Sequence, residues 1–387
     1  MKTGKAGVFG AAAVLALAIL SLGGCGGAGT KAAPAWVKEG GPVQFEAIPE
    51  ADYPYLSDWL ARKAKPADDY FIGLYKRHDV IIFGEGHNVR EHKEFIINLI
   101  PRLYREAGVR CIGWEFSNPT ANAELEKLVT APEYNADALL NFARSQVAHE
   151  WNSKEHWDLI EAVRKLNASL PPDGEKMRFV GIDMPIDWPD VYIKIKTLAK
   201  DSPEMKALNE IEQKRDVEMA ENAEREILAK RIKGLLFVGR GHDETHFGRP
   251  PDKPARRPIM GKVLYDKYGD RVFQVSPDWG GFPAVTKAIN SARPLPIGFD
   301  LSASPFASIL TQEMGPVPVK MENLARGYVY FGPAERLHRN TAIVGFVSEE
   351  MFAKYKNYYE IDLGRPFSSA REVDEYLQEN RWPQPGR

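Results

Sequence analysis

The chain has 387 residues, of which 44% are hydrophobic, and it carries a formal net charge of -2 at pH 7. The apolar fraction supports a globular body. The charge balance gives no indication of a nucleic-acid partner, which would favour a strongly basic face.

Residues 1–24 have the pattern of an export signal. Residues 1–5 carry two lysines and no acid, and an uncharged run rich in Ala and Leu follows at residues 8–22. That run is shorter than the roughly 20 apolar residues of a membrane span. A basic start, a short apolar stretch and a small-residue ending are typical of a secretory signal peptide.

The signal ends in Gly23-Gly24-Cys25, which resembles the bacterial lipobox. The resemblance implies cleavage before Cys25 and transfer of a diacylglycerol to its thiol. An ordinary signal peptide with an incidental cysteine is the alternative. Residues 25–50 are expected to be a flexible tether, since the stretch after Cys25 consists of small and polar residues and proline. We therefore expect a cell-envelope protein, lipid-anchored to a bacterial membrane on the periplasmic face or at the cell surface.

Residues 51–387 are predicted to form a single α/β domain. Cys111, the only other cysteine, lies in an apolar run and is expected to be a buried strand residue. Predicted helices cover residues 53–76 (broken at Pro66), a stretch from His92, and 121–129, 136–149, 156–167 and 204–230; predicted strands cover 79–83, 110–116, 177–183, 235–238 and 271–275, with less regular candidates at 328–331 and 342–344. Strands that alternate with helices predict a three-layer fold, with a mostly parallel central sheet and helices on both faces.

Ionisable side chains follow each of the first four predicted strands. Ligands of open parallel sheets bind just beyond the carboxyl ends of the strands, so these side chains are expected to share one pocket. The glycines among them allow sharp turns and close approach to a ligand. The residues concerned are Glu85 and His87 after the first strand, Glu115 after the second, Asp183 after the third, and His242 and His246 after the fourth.

Several common motifs are missing from the sequence. It contains no Gly-x-Ser-x-Gly elbow, no phosphate-binding loop, and no Gly-x-Gly-x-x-Gly after the first strand. His242 and His246 have metal-ligand spacing if helical, but Gly248 and Pro250 interrupt that stretch. In the helix predicted at 204–230, Arg215, Met219 and Asn222 share one face, which by itself indicates only an ordinary charged helix.

Two Gly-x-x-His segments, residues 84–87 and 239–242, resemble the paired motif of the erythromycin esterase, ChaN and TIKI/TraB superfamily. Glu115 matches the same pattern, and residues 215–222 (Arg-Asp-x-x-Met-Ala-x-Asn) are similar to a stretch of erythromycin esterases. The similarity spans about residues 79–275. The spacing within the two histidine motifs favours ChaN, whereas residues 215–222 favour the esterases, so the sequence lies between these branches.

The esterase resemblance implies that His87 is a general base on water, with Glu85 and Glu115 orienting either the histidine or the water. Arg215 and His242 would stabilise charge that develops on the substrate. Histidine titrates near neutral pH, and a guanidinium suits an oxyanion, so these residue types fit the chemistry. Binding roles are expected for Asp183, Asp216 and His246.

The other branches imply different cofactors. TIKI-like proteins use the motifs around a divalent metal, for which Glu85, His87, Glu115 and His242 are acceptable ligands. ChaN-like proteins are haem-binding lipoproteins of iron uptake, and Tyr328 and Tyr330 are either phenolate ligands to haem iron or core residues. We therefore expect a hydrolase that cleaves an ester or related bond of a small molecule. A haem- or iron-binding uptake lipoprotein and a metal-dependent peptidase are the alternatives.

Overall fold

The structure is a computed structural model that describes residues 32–146, 151–245, 258–278, 282–289, 294–311 and 318–381. The helices are α1 (Ala35–Glu39), α2 (Tyr53–Lys63), α3 (Ala67–Leu74), α4 (Arg90–Arg102), α5 (Asn122–Thr130), α6 (Ala136–Gln146), α7 (Lys154–Ser169), α8 (Trp188–Thr197), α9 (Pro203–Ala223), α10 (Met260–Tyr268), α11 (Pro283–Ala288), α12 (Met321–Leu324), α13 (Glu349–Leu363) and α14 (Ala370–Asn380). The strands are β1 (Val43–Gln44), β2 (Lys65–Pro66), β3 (Val80–Glu85), β4 (Val109–Trp114), β5 (Arg178–Gly181), β6 (Lys233–Gly239), β7 (Val272–Pro277), β8 (Ile297–Asp300), β9 (Ile309–Thr311), β10 (Val319–Lys320) and β11 (Gly327–Tyr330).

Eight strands form the central sheet, in the order β2-β8-β11-β7-β3-β6-β4-β5. The pairs from β11 to β5 are parallel, and β8 is antiparallel to both of its neighbours. This confirms the predicted α/β fold with a mostly parallel sheet. The four strands that precede the predicted site residues, β3, β6, β4 and β5, are adjacent, so their carboxyl ends meet at one edge.

The central strands β3 and β6 contain continuous apolar stretches, residues 80–83 and 235–238, because both faces of the sheet are covered. Successive side chains of β3 alternate between the faces. Ile81 and Phe83 pack into the cluster that holds residues of α3, α4, α5 and α7. Val80 and Ile82 pack into the cluster that holds residues of α9 and α10. Helices therefore lie on both faces, as the sequence predicted.

Cys111 lies in β4 and is fully buried, as predicted. Burial raises the pKa of its thiol to about 12. Because the thiolate is the reactive form of cysteine, this residue is a small packing side chain at neutral pH.

Within the described residues, secondary structure begins earlier than the sequence predicted. Residues 25–50 were expected to be a flexible tether, yet α1 and β1 lie within that range, and Val43 pairs in register with Ile309 of β9. The reason is apolar burial, because Trp36 and Phe45 pack against a buried cluster that includes Tyr53. Burying such large side chains offsets the entropy lost when the segment is ordered.

A second difference concerns residues 342–344, where a candidate strand was predicted. Ala342 forms only an isolated bridge with Ser153, and Val344 is 75% exposed. Without a neighbouring strand, this apolar run stays in a loop.

The expected signal segment and Cys25 lie outside the described residues. None of the helices in the described ranges combines the length and apolar character needed to cross a bilayer. The division of the chain into signal, anchor and single domain stays a prediction.

Candidate active site

A pocket of about 280 Å³ opens at the carboxyl ends of β3, β4, β5 and β6. Five of the predicted site residues line it together with aromatic and amide side chains. Its lining consists of His87, Glu115, Phe116, Ser117, Asn118, Gln146, Trp151, Asp183, Met184, Ile186, Trp188, Tyr192, Arg215, His242 and Arg381.

The first pair in the site is Glu85 and His87. Nδ1 of His87 makes a very short hydrogen bond with Oε1 of Glu85, which is fully buried. The side chain of His87 is 41% exposed, so its other edge faces the pocket. A carboxylate on Nδ1 selects the tautomer that carries the proton there and leaves the Nε2 lone pair to accept a proton.

Glu85 keeps its negative charge because of a buried cation. Oε2 of Glu85 lies 2.5 Å from the ammonium of Lys93, and both side chains are inaccessible to solvent. Burial acts to raise the pKa of Glu85, but Lys93 and the histidines His87 and His156 hold it well below its usual range. Burial in turn lowers the pKa of Lys93, against the effect of Glu85.

Lys93 also fixes the loop that carries His87. Its ammonium donates to the backbone carbonyls of Gly86, His87 and Val89 at 2.7, 3.0 and 3.1 Å. The Gly86 N–H donates to Nδ1 of His92 at 2.9 Å. His92 is fully buried, and burial together with the charge of Lys93 lowers its pKa to about 3. The start of α4 therefore holds the loop through one cation and one neutral imidazole.

Glu115 connects the two histidine motifs. Its Oε1 lies 3.7 Å from Nε2 of His87, and its Oε2 lies 3.6 Å from Nε2 of His242. Oε2 also accepts the Gly239 N–H at 2.8 Å. A Cβ on Gly239 would lie 2.3 Å from Cε1 of His87, so the imidazole can occupy this position only against a glycine.

Arg215 forms a bidentate ion pair with Asp183. Its Nε and Nη2 each donate to a carboxylate oxygen at 2.8 Å. Burial acts to lower the pKa of Arg215, but Asp183 raises it, so the guanidinium stays charged. Its Cζ lies 4.7 Å from the ring centroid of Trp188, a cation–π contact that helps to position the group.

His242 lies between Asp216 and Arg215. Its Nδ1 shares a 2.8 Å hydrogen bond with Oδ1 of Asp216, and its Nε2 lies 3.2 Å from Nη1 of Arg215. Oδ1 of Asp216 also accepts the backbone N–H of Met260 at 2.8 Å. With the proton on Nδ1, the Nε2 lone pair accepts from the guanidinium and leaves Arg215 a further Nη1 hydrogen for a ligand.

His246 was predicted to bind the ligand, and it lies outside the described residues. The other predicted site residues converge. The sequence did not single out Lys93 or His156, which stand on α4 and α7. Lys93 is a charged residue beside the apolar positions of α4, and His156 lies on the apolar face of its helix. A polar residue in such a position indicates, though only weakly, a buried polar role.

His156 brings a third donor to Glu85 and His87. One ligand atom from each of these residues lies within 4.8 Å of the other two. Burial and the charge of Lys93 lower the pKa of His156 to about 4, so it is neutral at pH 7.

A positively charged side chain nevertheless contacts a member of each of the two candidate sets of metal ligands. Lys93 contacts Glu85 in this cluster, and Arg215 donates to His242 in the set predicted from the sequence. A divalent ion would lie close to one of these buried positive charges, which is unfavourable in a low-dielectric site. The donors therefore do not fit a resident metal.

Haem also fits this pocket poorly. At about 280 Å³ the pocket is below the roughly 300–1,000 Å³ of sites for drug-sized ligands, and charged side chains line it. Tyr328 and Tyr330, the candidate phenolate ligands, are 3% and 0% exposed and belong to a hydrophobic cluster. Their alternative assignment as core residues is therefore correct.

No protein-family model and no curated protein matches the sequence. Among solved structures, a succinoglycan biosynthesis protein aligns with 76% of this chain and 99% of its own, with a TM-score of 0.54 and 11% identity. A Bacillus cereus protein aligns with 75% of this chain and 99% of its own, with a TM-score of 0.53 and 14% identity. An erythromycin esterase mutant in its open conformation aligns with 70% of this chain and 94% of its own, with a TM-score of 0.47 and 12% identity. The first two similarities show a shared fold, and the third is too loose to carry an argument.

Proposed function

We propose that this protein is a hydrolase that activates water with His87 and cleaves an ester or related bond of a small molecule. One observation carries the proposal. His87 is held by a buried carboxylate on Nδ1, while its Nε2 faces a pocket that also holds Glu115 and the charged Arg215. This combination supplies a base, a second acceptor for the nucleophile and a donor for an oxyanion.

Water activation would use the two acceptors in the pocket. A water molecule between Nε2 of His87 and Oε1 of Glu115, which are 3.7 Å apart, can donate one hydrogen to each. As its oxygen bonds to the ester carbonyl carbon, Nε2 takes one proton and the carbonyl π pair moves to oxygen. Glu85 stabilises the imidazolium that forms, because its charge is buried beside the Nδ1 proton.

Arg215 is the natural partner of the developing oxyanion. Asp183 and Trp188 fix the guanidinium, so it needs little reorganisation when the charge appears. When the tetrahedral intermediate collapses, the bond to the leaving oxygen breaks, and the His87 imidazolium returns its proton to that oxygen. His242 orients Arg215 through the 3.2 Å contact with Nη1.

The test is a panel of chromogenic esters with acyl groups of increasing size, assayed with the wild-type chain and with His87→Ala. We expect the variant to lose at least about 10²-fold in kcat/KM, the usual contribution of a general base. His338→Ala is the matched control, because His338 is an exposed histidine that also contacts a carboxylate, that of Glu91. Equal rates for wild type and His87→Ala, with both folded by circular dichroism, would overturn the proposal.

A chelator and a haem titration separate the alternatives. Activity that EDTA abolishes and a divalent metal restores would favour a metal-dependent peptidase or esterase. A saturable Soret shift in a protein without esterase activity would favour a haem-uptake role. The proposed hydrolase keeps its rate in EDTA, because its base and its oxyanion donor are protein side chains.

We also propose that Cys25 carries a lipid that anchors the protein in the bacterial cell envelope. Support comes from the sequence of residues 1–25, which resembles a signal peptide ending in a lipobox. In this setting the substrate would be a small molecule that reaches the envelope compartment.

A further inference from the structure

A second pocket, of about 580 Å³, lies away from the candidate active site. Lys76 and Arg77 on its rim precede β3, whereas His87 follows that strand. The pocket is therefore at the amino end of β3, and the candidate active site is at the carboxyl end. We call it the basic pocket; its lining is Trp59, Lys63, Lys65, Tyr70, Gly73, Leu74, Lys76, Arg77, Phe299, Asp300 and Ala303.

The rim of the basic pocket is strongly positive in a chain whose net charge is -2. Its lining holds four cationic side chains, those of Lys63, Lys65, Lys76 and Arg77, against the single carboxylate of Asp300. That leaves a net of three positive charges around one concavity. A cleft lined by one sign of charge concentrates ions of the opposite sign.

Asp300 does not neutralise the lysines. Its Oδ2 lies 3.2 Å from Arg77, and its Oδ1 accepts the hydroxyl of Tyr70 at 2.9 Å. Within the described part of the chain, none of Lys63, Lys65 and Lys76 forms an ion pair. The three lysines therefore line one concavity without an ion-pair partner of their own among the described residues, and a bound anion would supply one.

The floor of the basic pocket is aromatic and apolar. Phe299, Tyr70 and Leu74 are 2%, 6% and 1% exposed. Trp59 packs edge to face on Phe299, with ring centroids 5.6 Å apart, and forms a side wall. A ligand seated here would place an apolar group against the floor and its charge against the lysines.

We infer that the basic pocket binds a phosphate-bearing organic molecule, with the phosphate against Lys63, Lys65 and Lys76 and an apolar or ring portion on the floor. Three ammonium groups suit a phosphate better than a carboxylate, because a phosphate presents three oxygens and up to two charges. The volume lies in the range of small-molecule sites. Two sources supply an anionic phosphate group, namely a free organic phosphate monoester and the headgroup of an anionic phospholipid, whose diester presents two free oxygens and one charge.

The test is isothermal titration of the full chain with phenyl phosphate, inorganic phosphate and glycerophosphoglycerol. Glycerophosphocholine, a zwitterion, is the control ligand. The variant reverses three exposed charges, as Lys63→Glu, Lys65→Glu and Lys76→Glu, so folding is not threatened. The matched control reverses three exposed lysines elsewhere, as Lys127→Glu, Lys200→Glu and Lys206→Glu.

We expect saturable binding that the pocket variant weakens by about tenfold or more, while the control variant binds like wild type. Tighter binding of phenyl phosphate identifies a free organic phosphate as the ligand, and tighter binding of glycerophosphoglycerol identifies a lipid headgroup. The inference is overturned if no phosphate compound binds saturably, or if binding survives in the pocket variant. Esterase activity plays no part in this test, so its outcome is independent of the proposed function.

Discussion

Lys93 and Glu85 offer the sharpest test of how the candidate site is held. Both side chains are fully buried and in contact, so removing one partner leaves the other charged in a low-dielectric interior. Breaking such a pair costs about 3–5 kcal/mol in the free energy of unfolding. Lys93→Met also removes the donor of three hydrogen bonds to backbone carbonyls. We expect Lys93→Met and Glu85→Gln each to destabilise the protein by about 3–5 kcal/mol.

The double variant Lys93→Met/Glu85→Gln isolates the interaction energy between the two side chains from their interactions with other groups. Neither buried charge remains in the double variant. We therefore expect its loss in unfolding free energy to be about 2–3 kcal/mol smaller than the sum of the two single-variant losses. Urea unfolding, followed by circular dichroism and tryptophan fluorescence, measures the coupling. Lys154→Met is the control, since that lysine pairs with Asp158 at the surface and should change stability by less than about 1 kcal/mol. Strictly additive single-variant effects would refute the buried pair.

Three further predictions concern the loop, the pH dependence and the anchor. Gly239→Ala should lower kcat/KM by about 10²-fold, because the new Cβ displaces His87. Gly41→Ala is the control and should leave kcat/KM unchanged, since nothing in the described part of the chain lies within 4 Å of a Cβ at that position. Equal losses in the two variants would contradict the close approach of His87 to Gly239. The pKa of Glu85 is lower in the folded than in the unfolded chain, so its stabilising contribution is present above pH 4.5 and is lost as the pH falls through the folded pKa. The difference in unfolding free energy between wild type and Glu85→Gln should therefore be constant from pH 6 to 8 and shrink in acid, and urea titrations that show it growing in acid would reverse the assignment. Cys25→Ser should abolish incorporation of labelled palmitate in cells, and labelling that persists would show that lipid is attached elsewhere.

The sheet was predictable because its central strands are continuous apolar runs. β3 and β6 are buried on both faces, so residues 80–83 and 235–238 within them form unbroken stretches of Val, Ile, Leu and Phe. β8 was not predicted, because it has four residues, includes a glycine and follows a proline. α8 was missed because Pro189 near its start resembles a loop residue, although proline is well tolerated in the first turn of a helix.

Part of the candidate site was predictable from the sequence and part was not. Glu85 ends a parallel strand, and Glu115 and Asp183 follow shortly after two others; the geometry of a parallel sheet brings such positions to one edge. Lys93 and His156 stand on helices, and the side of the helix that faces the site depends on how α4 and α7 pack on the sheet. Neither spacing nor residue type fixes that packing, so these two positioning residues required the structure.

The central claim is that the imidazole of His87 acts as the base, and chemical rescue tests it most directly. His87→Ala leaves a space that opens onto the pocket, since the native side chain is 41% exposed. With an ester that the wild type cleaves, we predict that the variant is inactive in buffer and regains activity in proportion to added imidazole. The regained rate should follow the neutral form of imidazole as the pH is raised. A variant that cleaves the ester at the wild-type rate without imidazole would contradict the account.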